Sequence, residues 1–98
     1  MKYHILGNGY MGQRFRESLE GSVLSSARIN SVNDARSEIN EHRPDVVINA
    51  IGKCGNPNVD WCQNHVSDTM WNNIEVPLLI AQACKRKKVK MVHLGSGC

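Results

Sequence analysis

The sequence predicts an α/β fold in which a parallel sheet carries helices on both faces, and three observations predict it. Short apolar runs alternate along the 98 residues with stretches of helical period, the pattern left by strand–helix–strand crossovers. One run, Val46, Val47 and Ile48, is β-branched throughout and does not alternate with polar residues, as expected of a strand buried on both faces. The first run, Lys2 to Leu6, opens directly into a glycine turn, GNGYMG. Together these predict a Rossmann-like sheet of about five strands, incomplete beside the roughly six of the full dinucleotide-binding form.

Each element has its own signal. Met11, Phe15 and Leu19 recur every four residues after the turn, predicting an amphipathic helix with Arg14, Arg16, Glu17 and Glu20 outward and Gly21 at its end. Ser22 to Ser25 reads as a second short strand and Ile29 as a candidate third. Asn33 is expected to cap a helix whose apolar side is Val32, Ala35 and Ile39 and which Pro44 closes. Beyond Val46 to Ile48, the loop Gly52 to Asn58 is irregular by its glycines, asparagines and Pro57. A helical stretch starts near Asp60 with Ile74, Leu78 and Ala81 as its core stripe; Pro77 either kinks it or begins a new segment. Met91 to Leu94 is the last strand. With no repeat, linker or low-complexity tract, residues 1–98 form one domain.

Composition narrows the class. At 41% apolar and 21% charged, the chain is neither disordered nor fibrous. Its net charge of +3 comes largely from Lys85, Arg86, Lys87, Lys88 and Lys90, a cluster that suits a helix C-terminus better than a nucleic-acid or membrane surface. Neither of those partners is expected. No early apolar run has the length of a signal or a span, so a cytoplasmic location and reduced thiols at the four cysteines follow as expectations.

The chemistry begins at Gly7, Gly9 and Gly12, with Tyr10 and Met11 between them. After a strand and before a helix, GxGxxG turns the chain tightly, admits a pyrophosphate to the backbone and lets helix pack on strand. A dinucleotide site over Gly7, Gly9, Tyr10, Met11 and Gly12 is expected. The second strand ends without the usual ribose-binding carboxylate; Ser25, Ser26 and Arg28 stand there instead, which suits a 2′-phosphate and favours NADPH, with NADH still open. Arg28 as an ordinary solvated side chain is the alternative. Cys54, Cys62 and His65 lack a fourth ligand, so no metal site is expected, and His4 and His93 read as packed, hydrogen-bonded imidazoles.

Two longer stretches, RPDVVINAIGKCGNPNVDWCQNH (Arg43 to His65) and WNNIEVPLLIAQACKRKKVKMVHLGSGC (Trp71 to Cys98), complete the pattern. With the glycine turn they resemble the extended short-chain dehydrogenase/reductase superfamily. Within it they are similar to the nucleotide-sugar reductases related to dTDP-4-dehydrorhamnose reductase and to bifunctional nucleotide-rhamnose 3,5-epimerase/4-reductases, where PNVDWC and a strand ending in Thr-Gly-Cys are typical. Gly9 and Gly12 match the family's last two turn glycines, while Gly7 sits one residue closer than in GxxGxxG. The resemblance implies that Ala50, Ile51 and Gly52 pass the cofactor's ribose and nicotinamide side. It implies that Asn73 orders the active site, a helix cap or a surface amide being the alternative. It implies that Ser96 hydrogen-bonds the substrate's keto oxygen and that Cys98 does acid/base work in epimerisation, a small packed residue being the alternative. Lys53, in the loop expected to face the sugar, is a candidate substrate contact, an exposed lysine being the alternative.

The family's YxxxK pair and sugar-binding subdomain are not among these residues. The expectation is therefore the N-terminal, cofactor-binding portion of an NADPH-dependent epimerase/reductase whose partner is a 4-keto-6-deoxy nucleotide sugar. A non-catalytic nucleotide-binding or regulatory module is the other class. Whether the chain is itself an enzyme, and whether it pairs with a second copy through an uncovered sheet edge, are left open.

Overall fold

A computed structural model describes residues 1–51 and 74–94. The described elements are β1 (Tyr3–Leu6), α1 (Tyr10–Ser18), β2 (Val23–Ser25), α2 (Val32–His42), β3 (Val46–Asn49), α3 (Val76–Lys87) and β4 (Lys90–His93). The strands form one sheet in the order β2-β1-β3-β4, every pair parallel. The expected α/β, Rossmann-like architecture is present, with four strands among the described residues. Ile29 is not in one of them: it is 3% exposed and fills the core from a connecting segment.

Strand alternation sends side chains to two separate cores. Ile5, Val46 and Ile48 pack with Tyr3, Phe15, Leu19 and Leu24 on the face covered by α1. Leu6 and Val47 point the other way and pack with Ala35 and Ile39 of α2 and Val76, Ile80, Ala83 and Cys84 of α3. All four residues of β3 are buried, as its unalternating sequence requires. Burying side chains such as Ile5 or Ile80 stabilises by about 1.5–3 kcal/mol each. Truncating Ile80 to Ala would leave a cavity as well and cost about 2–5 kcal/mol.

Three local expectations are corrected. The cap of α2 is Ser31, not Asn33: Ser31 Oγ accepts the Asp34 N–H at 3.2 Å, while Asp34 reaches back to accept the Asn30 N–H at 2.9 Å. This is close to a capping box, and it satisfies amide donors that Asn33, already inside the helix, cannot reach. Helix α1 ends at Ser18, before Gly21, because Leu19 turns extended while its N–H still bonds the Phe15 carbonyl. The core stripe of α3 is Val76, Ile80, Ala83 and Cys84; Ile74 and Leu78 are about half exposed and Ala81 is exposed. Ile74/Leu78 and Val76/Ile80 have the same spacing but lie about 200° apart around a helix of 3.6 residues per turn, so periodicity offers both and the sheet accepts one. Pro77 lies in the first turn of α3, where its missing N–H costs nothing.

Candidate cofactor site

The order β2-β1-β3-β4 reverses between β1 and β3, with β2 to one side and β4 to the other. Such a switch point opens a crevice beyond the strand ends, where open α/β sheets bind ligands. The segments on its two sides are Gly7 to Gly12 after β1 and Ala50–Ile51 after β3, and they touch. A Cβ on Gly7 would meet the Ala50 carbonyl carbon at 2.7 Å and the Ile51 nitrogen at 2.8 Å, and Gly7 has φ +108. Only glycine fits there. Gly12 is the second steric glycine: a Cβ on it would run into the Gly7 carbonyl, so its absence is what lets α1 lie against the end of β1.

Gly9 differs from both. Its φ is −98, open to any residue, and a Cβ on it would meet no described atom within 4 Å. Packing among the described residues does not ask for glycine at this position, whereas a pyrophosphate crossing the turn does. Gly9 is also the N-cap of α1; among the described residues no side chain caps that helix, and its first turn holds no carboxylate. The first-turn N–H groups and the positive end of the dipole therefore face the crevice, which suits an anion. Tyr10 and Met11 are exposed beside it, with the Tyr10 hydroxyl accepting from Arg14 at 3.0 Å. The turn thus fits a dinucleotide's phosphates.

At the end of β2, Ser25 is engaged inside the protein. Its Oγ donates to Glu38 Oε1 at 2.6 Å and accepts the Ala27 N–H at 3.1 Å. Ser26 and Arg28 are exposed on the same rim. The sequence-predicted residues Gly7, Gly9, Tyr10, Met11, Gly12, Ser25, Ser26, Arg28, Ala50 and Ile51 are thus gathered along one end of the sheet. Gly52, Lys53, Asn73, Ser96 and Cys98 lie outside the described residues, as do Cys54, Cys62 and His65.

Sequence reasoning missed Asn49, the last residue of β3, which is 0% exposed. Its Oδ1 accepts the Ile51 N–H at 3.0 Å, which leaves Nδ2 to donate to His93 Nδ1, also at 3.0 Å. His93 must then carry its proton on Nε2. One buried amide holds the segment after β3 and the end of β4 together. The signal was available: a polar side chain directly after three buried β-branched residues needs partners. Glu38 was missed as well. Burial would raise its pKa, but the hydrogen bonds from Ser25 and His4 outweigh that and hold it below the usual carboxylate value. Burial lowers the pKa of His4, against the pull of Glu38. It also pushes the Cys84 thiol up to about 11, so this cysteine packs as a hydrophobe.

Residues 7–98 match the family model described as the NAD dependent epimerase/dehydratase family. The chain belongs to that family. A bifunctional dTDP-4-dehydrorhamnose 3,5-epimerase/dTDP-4-dehydrorhamnose reductase of Arabidopsis thaliana is 33% identical over 76 residues, 78% of this chain and 25% of the relative. The crystal structure of a UDP-rhamnose synthase from Acanthamoeba polyphaga mimivirus superposes with a TM-score of 0.88 at 28% identity, over 100% of this chain and 38% of that one. A Bacillus anthracis dTDP-4-dehydrorhamnose reductase, solved in complex with NADP, shares the fold at a TM-score of 0.80 and 18% identity, over 92% of this chain and 34% of that one. The chain therefore spans a quarter to about two-fifths of the length of these relatives. The family resemblance read from GNGYMG, PNVDWC and the terminal strand is borne out. No helix among the described residues is long and apolar enough to cross a membrane.

Proposed function

We propose that this chain is the cofactor-binding portion of an NADPH-dependent nucleotide-sugar epimerase/reductase acting on a 4-keto-6-deoxy sugar nucleotide. The observation that carries the reading is Gly9, a glycine that neither its dihedrals nor its described neighbours require, at the uncapped N-terminus of α1. Gly7, Gly9 and Gly12 with the first-turn amides of Tyr10 and Met11 would hold the pyrophosphate, and Ser26 and Arg28 the 2′-phosphate. Ala50, Ile51 and Gly52 would pass the ribose and nicotinamide side. NADPH, when bound, supplies a hydride for ketone reduction. Ser96 would donate a hydrogen bond to the keto oxygen, stabilising the negative charge that develops there during enolisation and reduction. Cys98 would move the proton on the carbon beside the ketone. Asn73 and Lys53 would order the site and contact the sugar nucleotide.

Titration of NADPH into the chain and into Gly9→Ala tests this reading. The variant is expected to fold unchanged, because its Cβ meets no described atom, and to bind about ten- to a hundredfold more weakly. Equal NADPH affinity in the two proteins would refute the pyrophosphate assignment.

A further inference from the structure

Behind Ser25 of the β2 rim, on the sheet face covered by α2 and α3, three metal-ligating side chains converge. His4 projects from β1, and Glu38 and His42 stand one helical turn apart on α2. His4 Nε2 lies 3.0 Å from Glu38 Oε1, and one donor atom from each of the three residues falls within 4.8 Å of the others. The two imidazole rings stack with centroids 4.3 Å apart and planes inclined by 24°. The hydrogen bond to Glu38 needs one histidine; the second adds another ring nitrogen to the cluster, with the exposed Glu41 carboxylate 3.9 Å from it. Among the described residues, the hydrogen bonds to Glu38 engage Oε1 alone, from Ser25 and His4, leaving Oε2 for a further electrophile.

We propose that His4, Glu38 and His42 form a binding site for a divalent transition metal of borderline softness, zinc(II) above all, with a fourth position left to water. Two imidazoles and a carboxylate are a donor set for such ions, and calcium or magnesium would require oxygens. Bonds of about 2.0–2.1 Å to a tetrahedral ion place donors about 3.4 Å apart, so His4 and Glu38, 3.0 Å apart, are near the separation required, while the His42 ring must turn out of the stack to aim a nitrogen lone pair at the ion. His42 is the last residue of α2 and 28% exposed, which gives it room to move and gives the ion a way in. Ser25 orients the carboxylate from outside, as outer partners of metal ligands do. The buried His4 Nδ1 has no partner among the described residues, so one such outer bond is missing, which weakens metal binding by about ten- to a hundredfold against a site that has it. Bound metal would tie β1 to the C-terminal half of α2.

Zinc(II) titrated into the chain is expected to bind at one equivalent and raise the melting temperature. Cobalt(II), as the spectroscopic probe, should give the visible bands of four-coordinate ligation without the near-ultraviolet thiolate band that cysteine ligands produce. His42→Ala, at a partly exposed helix end, keeps the metal-free fold and should weaken zinc at least about tenfold; Glu38→Gln should do the same while retaining a hydrogen-bonding side chain. Unchanged zinc affinity in His42→Ala, a thiolate band, or no stabilisation at saturating zinc would each overturn the site. The metal-free melting curve of His42→Ala, matched to the wild type, separates loss of a ligand from loss of the fold.

Discussion

Arg28 and Glu38 show how a few atoms set the character of the β2 end. Ser25 has its hydroxyl proton engaged by Glu38, so on the proposed reading discrimination of a 2′-phosphate would fall to Ser26 and Arg28, both exposed. Arg28→Ala is expected to weaken NADPH by about tenfold and leave NADH unchanged, because a guanidinium–phosphate pair is worth more than a neutral hydrogen bond. Tighter NADH than NADPH binding by the wild type would reject that preference. Glu38 and His4 also make stability depend on pH, and in the same sense. His4 has a lowered folded pKa, so its contribution is lost as pH falls from the unfolded value near 6.5 through the lower folded one. Glu38, lowered too, contributes above an unfolded value of about 4.5 and loses that contribution as pH falls through its folded value. Thermal melts from about pH 7.5 to 3.5 should therefore show two successive losses on acidification. Glu38→Gln should remove the lower one and leave the histidine step in place; a wild-type profile flat over that range would contradict the linkage.

The helices differ most at their ends. Ser31 caps α2 and Asp34 reinforces it, whereas α1 begins at Gly9 with no cap, leaving its amides to the crevice. Ser31→Ala should cost about 1 kcal/mol, seen as a melting point lower by roughly 4–8 °C. At the other end, α2 and α3 stop at Arg43 and Lys88, both left-handed with φ of 47 and 57. A residue with a Cβ pays about 1–2 kcal/mol there, partly offset by the greater unfolded-state freedom of glycine. Lys88→Gly is therefore expected to stabilise by about 0.5–1 kcal/mol, and a lower melting temperature would show that the Lys88 side chain contributes more than its backbone costs. The lysines and arginine around it lie in the last turn of α3, where they complement the dipole, as their clustering in the sequence suggested.

The described residues form a three-layer sandwich, α1 on one sheet face and α2 with α3 on the other, and this puts every described candidate for cofactor contact at one end. On the proposed reading, binding and turnover then separate. The chain has two tyrosines, Tyr3 in β1 and Tyr10 at the start of α1, and neither is followed by lysine four residues on. With no YxxxK proton donor, single-turnover NADPH oxidation with a nucleotide-linked 4-keto-6-deoxy sugar should run at least about 10²–10⁴-fold below ordinary reductases. A rate matching theirs would mean that some other group in these 98 residues supplies the proton.

Fold class and the glycine turn were legible in the sequence because both are written locally. A buried parallel strand must be apolar throughout, as Val46 to Ile48 is, and a strand that turns at once into a helix needs glycines at Gly7 and Gly12. The family could be read from PNVDWC and the terminal strand without coordinates. What only tertiary structure decided depended on which groups meet across the sheet. Periodicity could not choose between Val76/Ile80 and Ile74/Leu78, since the two stripes are equivalent until α3 is laid on β3 and α2. No local pattern reveals that Glu38 reaches Ser25 and His4, residues 13 and 34 positions away, or that Asn49 bonds His93, 44 positions on. A hydrogen bond between side chains on different elements leaves no period in the chain, and crossovers that bring distant strands side by side create such partners only once the sheet has formed.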